Sequence, residues 1–138
     1  MIVFAVSFVL ATEVAATITK PKASNCSNIE NPSKELLISA QMGNEAEVKT
    51  LLKCKGIDIN IAGNVLDLYR TPLMCAAQGG HLEVAKLLLD QKDIEVNKVI
   101  SDEMHSTGFG RTALWYASEL GNTELVKQLL THYKIDVK

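Results

Sequence analysis

The stretch PLMCAAQGGHLEVAKLLL, residues 72–89, decides the fold of this chain. Before Gly80, the apolar residues Leu73, Ala76 and Ala77 are spaced at i, i+3 and i+4, which places them on one face of a helix. After the glycine, leucine and alanine recur at helical spacing and form a second apolar face. Glycine often ends a helix because it readily adopts a left-handed backbone conformation. The stretch therefore predicts two short helices with a break between them.

The same pattern occurs three times along the chain. The equivalent stretches are ELLISAQMGNEAEVKTLL (residues 35–52) and ALWYASELGNTELVKQLL (residues 113–130). The central glycines are 37 and 41 residues apart, and the alternating apolar tails at residues 57–60, 94–97 and 135–138 keep the same spacings. A unit of two short helices cannot bury its own apolar face, so such units must stack. We predict an all-α solenoid of three helix-turn-helix repeats, at about residues 33–60, 70–97 and 111–138.

These residues resemble the ankyrin repeat. The resemblance is carried by Arg70-Thr71-Pro72-Leu73, Ala76-Ala77, Gly80-His81, Gly110-Arg111-Thr112-Ala113-Leu114 and Gly121-Asn122. It implies an ankyrin-repeat solenoid in which the fingers and the first helices form a concave binding face. Each unit is longer than the usual ~33 residues, and the extra residues fall in the connections. The resemblance therefore also implies long finger loops.

The helix starts carry polar residues that can cap them. Thr71 and Thr112 each precede a first helix, and a threonine side chain at this position accepts a hydrogen bond from the helix backbone. We expect Ser33 to serve repeat one in the same way. His81 is the expected structural residue at the start of a second helix. Tyr69 stands where the family usually has a turn glycine, so the turn before repeat two is expected to be altered.

The resemblance assigns protein-binding contacts to the finger loops and to the concave ends of the first helices. The predicted protein-binding residues are Tyr69, Arg70, Gln78, Met104, His105, Phe109, Arg111, Glu119 and Leu120. Further candidates are Gln41, Met42, Leu66, Asp67, Leu68 and Gly79. Tyrosine, arginine, phenylalanine and methionine are enriched at protein interfaces. The alternative for Leu66, Leu68 and Phe109 is packing of the fingers onto the stack. Trp115 and Tyr116 are expected to pack between repeats.

The composition and motifs give little support to other functions. The chain of 138 residues has 14 basic and 16 acidic side chains, a balance that argues against a nucleic-acid binder. No histidine pair has metal-ligand spacing, no Cys-x-x-Cys occurs, and no glycine-rich loop follows a strand. We predict no catalytic residues, no cofactor and no metal site, and we expect the protein not to be an enzyme.

The three cysteines are too few for a disulfide framework. Cys75 lies within a first helix at an apolar position and is expected to be a buried thiol. Cys26 and Cys54 can pair if the protein is exported, but the sequence does not show whether they approach each other.

The first residues form a segment of different character. Residues 2–11, IVFAVSFVLA, are too short to span a bilayer but match the apolar centre of a secretory signal. We predict a signal peptide over 1–16, a flexible linker over 17–32 and the repeat domain over 33–138. The segment lacks Lys and Arg, so an uncleaved membrane anchor and a buried N-terminal helix or strand stay open as alternatives. The predicted location is periplasmic or secreted, with the cytoplasm as the alternative.

The function expected from these features is non-catalytic binding of a partner protein, whose identity the sequence does not give. One alternative is a structural fragment or terminal part of a longer ankyrin array. Another is an exported accessory protein to an enzyme such as catalase, since the architecture is similar to that of some bacterial exported ankyrin proteins. Self-association through the last repeat is a further expectation, because no polar capping helix follows it.

Overall fold

A computed structural model of the chain describes residues 26–65, 68–100 and 110–132. Within these ranges the helices are α1 (Pro32–Met42), α2 (Glu45–Leu51), α3 (Pro72–Gly79), α4 (Leu82–Leu89), α5 (Ala113–Leu120) and α6 (Thr123–Thr131). The first helices α1, α3 and α5 pack side by side in one layer, and α2, α4 and α6 pack in a second. The predicted all-α solenoid of three helix pairs is confirmed. The signal peptide predicted over 1–16 lies outside the described residues.

A glycine ends the first helix of every repeat. Gly43, Gly80 and Gly121 have φ angles of 72°, 70° and 74°, in the left-handed region that favours glycine. The backbone N–H of each glycine bonds back into its helix, which completes the cap. The break predicted at Gly80 is therefore a property of all three repeats.

The predicted threonine caps are present in repeats two and three. The Thr71 hydroxyl accepts from the backbone N–H of Met74 at 3.2 Å, and the Thr112 hydroxyl accepts from that of Trp115 at the same 3.2 Å. Both threonines have an extended backbone, which is the usual conformation of a capping residue.

The expectation that Ser33 caps repeat one is wrong. Helix α1 begins at Pro32, and the Asn31 side chain caps it by accepting from the backbone N–H of Lys34 at 3.1 Å. Ser33 instead accepts a hydrogen bond from the backbone N–H of Asp58 at 2.8 Å. Asparagine is a strong cap and proline is favoured in the first turn, so helix α1 starts about one turn earlier than the repeat pattern predicts.

The first finger contains a β-hairpin, an element that the helical pattern did not predict. Strands β1 (Gly63–Val65) and β2 (Leu68–Arg70) pair antiparallel, with Gly63 opposite Arg70. The second finger begins with the equivalent antiparallel bridge, between Ile100 and Arg111. Both fingers therefore leave the stack with the same pairing at their base.

The end of the predicted linker is anchored to repeat one. Residues Cys26–Asn28 form a 3-10 turn, and Cys26 is joined to Cys54 by a disulfide with a Cα–Cα distance of 5.5 Å. Ile29 packs against the core. Although residues 26–31 fall in the range predicted to be flexible, they are tied to the fold by a covalent bond and an apolar contact.

The core is built from aliphatic side chains between the two layers. Fully buried members include Leu36, Leu51, Leu73, Leu88, Leu125 and Leu129. Cys75 is also fully buried, as expected, and loss of solvation raises the pKa of its thiol to about 12, although Arg70 acts in the opposite direction. The small side chains of Ala76 and Ala77, also fully buried, let neighbouring helices approach closely. None of the helices described is long and apolar enough to cross a membrane.

The tails of successive repeats are joined by hydrogen bonds centred on Asn60. Its side-chain amide donates to the carbonyl of Asp93 at 2.7 Å and accepts from the N–H of Glu95 at 2.8 Å. The Lys98 ammonium donates to the backbone carbonyl of Asn60 at 2.9 Å. One asparagine thus fixes the register between the tails of repeats one and two.

Candidate protein-binding surface

The last turns of the three first helices form one surface. The exposed side chains there are Met42, Gln78, Glu119 and Leu120, and Gly79 is exposed with them. They occupy equivalent positions, one or two residues before the left-handed glycine of each repeat. Met42 and Leu120 are 53% and 55% exposed, a large fraction for apolar side chains. We call this set the inner-helix rim.

Gly79, in the middle of the inner-helix rim, leaves space for the side chain of His81. A Cβ atom at residue 79 would collide with the His81 ring, so the glycine makes room for it. The ring Nε2 donates to the backbone carbonyl of Gln41 at 3.1 Å and thereby links repeat two to repeat one. His81 lies at the start of α4 as predicted, but its side chain does not cap that helix.

The other two repeats use the position of His81 differently. Asn44 and Asn122 each cap their own second helix, by accepting from the backbone N–H of Glu47 and of Leu125 at 3.2 Å. The rim residue two positions before each asparagine, Met42 or Leu120, carries a side chain. The rim residue two positions before His81 is Gly79, which has none. The hydrogen bond from His81 to repeat one therefore depends on the absence of a side chain at residue 79.

Arg70 does not lie on the surface, where the family resemblance places a contact. Its side chain is only 2% exposed, and its Cζ lies 5.5 Å from the centroid of the Tyr116 ring. The Nε atom is buried without a hydrogen-bond partner among the described residues. Arg70 packs against the next repeat, so in this conformation its guanidinium is not available to a partner. Tyr116 packs between repeats, as expected.

Arg111 occupies the equivalent position in repeat three but is exposed. Its Cζ lies 4.4 Å from the centroid of the Trp115 ring, in a cation–π contact within the same repeat. Trp115 is 39% exposed and meets Tyr116 edge to face at 5.2 Å. The tryptophan therefore belongs to the surface, although packing between repeats was expected for it.

The described part of the first finger presents one large side chain. Tyr69, in strand β2, is 61% exposed and is the most exposed of the large hydrophobic side chains in the described part of the chain. Leu66, Asp67, Met104, His105 and Phe109 lie outside the described residues. Five of the nine predicted binding residues are thus described and exposed. These are Tyr69, Gln78, Arg111, Glu119 and Leu120.

Two exposed apolar residues at the ends of the stack were missed. Ile38 is 41% exposed and Leu130 is 47% exposed. Their equivalents in repeat two, Cys75 and Leu89, are only 0% and 8% exposed, because a neighbouring repeat covers them. The signal that would have found them is their place in the repeat alignment: an inward-facing residue in a terminal repeat lacks the neighbour that would cover it.

The comparison with known families agrees with this architecture. The family model described as Ankyrin repeats (3 copies) matches residues 7–100 and residues 36–138. Ankyrin repeats are generally protein–protein interaction modules, and the family is typically non-catalytic. The second match begins within α1 and includes the rest of the three helix pairs of the described structure. The chain therefore belongs to the ankyrin-repeat family.

Proposed function

We propose that this protein is a non-catalytic module that binds a partner protein through its first finger and its inner-helix rim. The observation that carries the proposal is the exposure of Tyr69, Met42 and Leu120. Each of these side chains is more than half exposed, whereas the core side chains are buried. Tyrosine and methionine in particular are enriched at protein interfaces.

The composition of the surface indicates how the partner is recognised. Gln78 and Glu119 add hydrogen-bonding groups beside the apolar side chains, and the net charge of the chain is only −2. A weak overall field gives little long-range attraction. We therefore expect specificity to come from the shape of the rim and from a few side chains.

We further propose that the protein is exported, to the periplasm or outside the cell, where it can serve as an accessory to an enzyme. Support comes from the Cys26–Cys54 disulfide, since such bonds persist mainly in oxidising compartments. The apolar segment at residues 2–11 supplies a matching signal. N-terminal sequencing of the protein from its natural host should begin near Thr17; a soluble cytosolic form with Met1 intact would rule out export.

The binding proposal is tested by capture of a partner from an extract of the host. The immobilised protein is compared with a Tyr69→Ala/Gln78→Ala variant, and bound proteins are identified by mass spectrometry. Lys53→Ala is the matched control, since Lys53 is exposed two residues after α2, which belongs to the other helix layer. A specific partner should be lost only from the double variant. Equal capture by all three forms would show that the finger and rim are not the binding surface.

We also propose that the third repeat can self-associate. Support comes from Trp115, Leu120 and Leu130, which are all more than a third exposed on this repeat.

A further inference from the structure

Three side chains at intervals of four residues form a line on the third repeat. Arg111, Trp115 and Glu119 are all exposed, and α5 carries the last two. Since a helix turns once in 3.6 residues, a spacing of four keeps Trp115 and Glu119 on neighbouring positions of one face. Arg111 joins this line because its guanidinium lies over the Trp115 ring at 4.4 Å. The line therefore consists of a cation, an aromatic ring and an anion.

The line borders a face that the other two repeats bury. Leu37 and Met74, the equivalents of Trp115, are only 3% and 1% exposed. Ala40 and Ala77 are fully buried, whereas their equivalent Ser118 is exposed. In repeats one and two the following repeat covers these positions. We define the end face of repeat three as Arg111, Trp115, Ser118, Glu119 and Leu130. All but Glu119 stand at positions that are buried in repeat two.

The order of charges along the line makes the end face complementary to itself. If two copies meet with their α5 helices antiparallel and crossing at Trp115, each Arg111 faces the Glu119 of the other copy. Glu119 lies four residues, or about 6 Å, from Trp115 along the helix, and the Arg111 Cζ lies 4.4 Å from the Trp115 ring centroid, so both ion pairs would flank the crossing point closely. The same residues then form two equivalent opposite-charge contacts around a two-fold axis.

The other end of the stack exposes Ile38, at 41%, but differs in its surroundings from the end face. There the Cys26–Cys54 disulfide holds residues 26–31 beside repeat one, and Ile29 packs against the core. Glu47 stands where repeats two and three have the buried apolar residues Val84 and Leu125. Glu47 is itself only 8% exposed, so the disulfide-anchored segment at residues 26–31, and not this carboxylate, distinguishes the two ends at the surface. This asymmetry favours pairing of two end faces over head-to-tail stacking.

We propose that two copies of this chain associate through their end faces, with antiparallel α5 helices crossing at Trp115 and reciprocal Arg111–Glu119 ion pairs. The proposal specifies the self-association suggested above and rests on it. It shares only Glu119 with the inner-helix rim, so partner capture through Tyr69 and Gln78 can be tested separately. The pairing is closed, so it produces a dimer and no larger assembly.

The test uses charge reversal and sedimentation equilibrium over a wide range of protein concentrations. The wild type should approach twice the monomer mass. Arg111→Glu and Glu119→Arg should each weaken the dimer by about 10-fold or more, because each creates two like-charge contacts. An equimolar mixture of the two variants should form dimers again, since one copy then carries two acids and the other two arginines. Lys53→Glu, an exposed reversal in the other layer, should leave the dimer unchanged.

Further variants separate pairing from folding. Trp115→Ala should weaken the dimer by about 10-fold or more, as expected for an aromatic residue at the centre of an interface. Circular dichroism of every variant should show the same helix content, since the charged positions are exposed. A wild type that stays monomeric, single reversals that dimerise as well as the wild type, or masses that grow beyond the dimer would each overturn the proposal.

Discussion

Arg70 and Arg111 occupy the same position in successive repeats, and substituting both tests the distinction between a packing residue and a surface residue. In Arg70→Ala, the protein loses a desolvated cation–π contact with Tyr116, worth about 2 kcal/mol. It also loses packing of the buried side-chain stem, worth about 1.5 kcal/mol. Removal of a buried charge returns part of this free energy. We expect the free energy of unfolding to fall by about 2 kcal/mol.

The matched substitution Arg111→Ala removes a cation–π contact at an exposed site. Such a contact contributes about 0.5–1 kcal/mol, so the loss of stability should be clearly smaller. Arg70→Met keeps the stem and removes the charge, and it should stay within about 1 kcal/mol of the wild type. Urea unfolding followed by far-UV circular dichroism, at low protein concentration, gives all three values. Equal losses for Arg70→Ala and Arg111→Ala would refute the assignment of Arg70 to the interior.

Three further perturbations have defined outcomes. Cys26→Ser opens a covalent loop with a sequence separation of 28 and should lower the free energy of unfolding by about 3.5 kcal/mol in the chain-entropy treatment, as measured by urea unfolding. In Gly121→Ala the new methyl group meets no neighbouring atom, so the free energy of unfolding should fall only by the cost of a left-handed alanine, about 1–2 kcal/mol. Gly43→Ala should lower it further, because its methyl group would collide with His81. Calorimetry compares the two variants. Cys75 should resist alkylation at pH 8 until the protein unfolds. Because its folded-state pKa is raised from 9.0 to about 12, its contribution to stability is complete below pH 9 and is lost as the pH rises towards 12, which unfolding curves across that range would detect.

The repeats and their helix pairs could be predicted because each depends on local chemistry. The spacing of the central glycines and of the apolar residues is sufficient to place the breaks and the buried faces. The start of α1 was also accessible, since Asn31 before Pro32 is a cap followed by a favoured first-turn residue. In repeat one the position of Thr71 is occupied by Lys34, which cannot accept a capping hydrogen bond, and the helix begins further upstream.

The environments of the site residues could not be predicted in this way, because they depend on the order of repeats. Arg70 and Arg111 share a local sequence pattern, yet one lies under Tyr116 and the other over Trp115 at the end of the stack. Likewise, the pairing of Cys26 with Cys54 depends on a 3-10 turn that brings the N-terminal residues back to repeat one. Neither the stacking neighbour nor the turn leaves a pattern in the single sequence.

The match between Gly79 and His81 has a consequence for engineering the binding specificity of this scaffold. In a library that randomises the inner-helix rim, Met42 and Leu120 can be varied freely because their side chains extend into solvent. Residue 79 cannot, since any side chain there displaces the His81 ring and breaks its bond to Gln41. A library that varies residue 79 and keeps the fold therefore has to replace His81 with asparagine at the same time. Asparagine is the residue that caps the second helix in both neighbouring repeats.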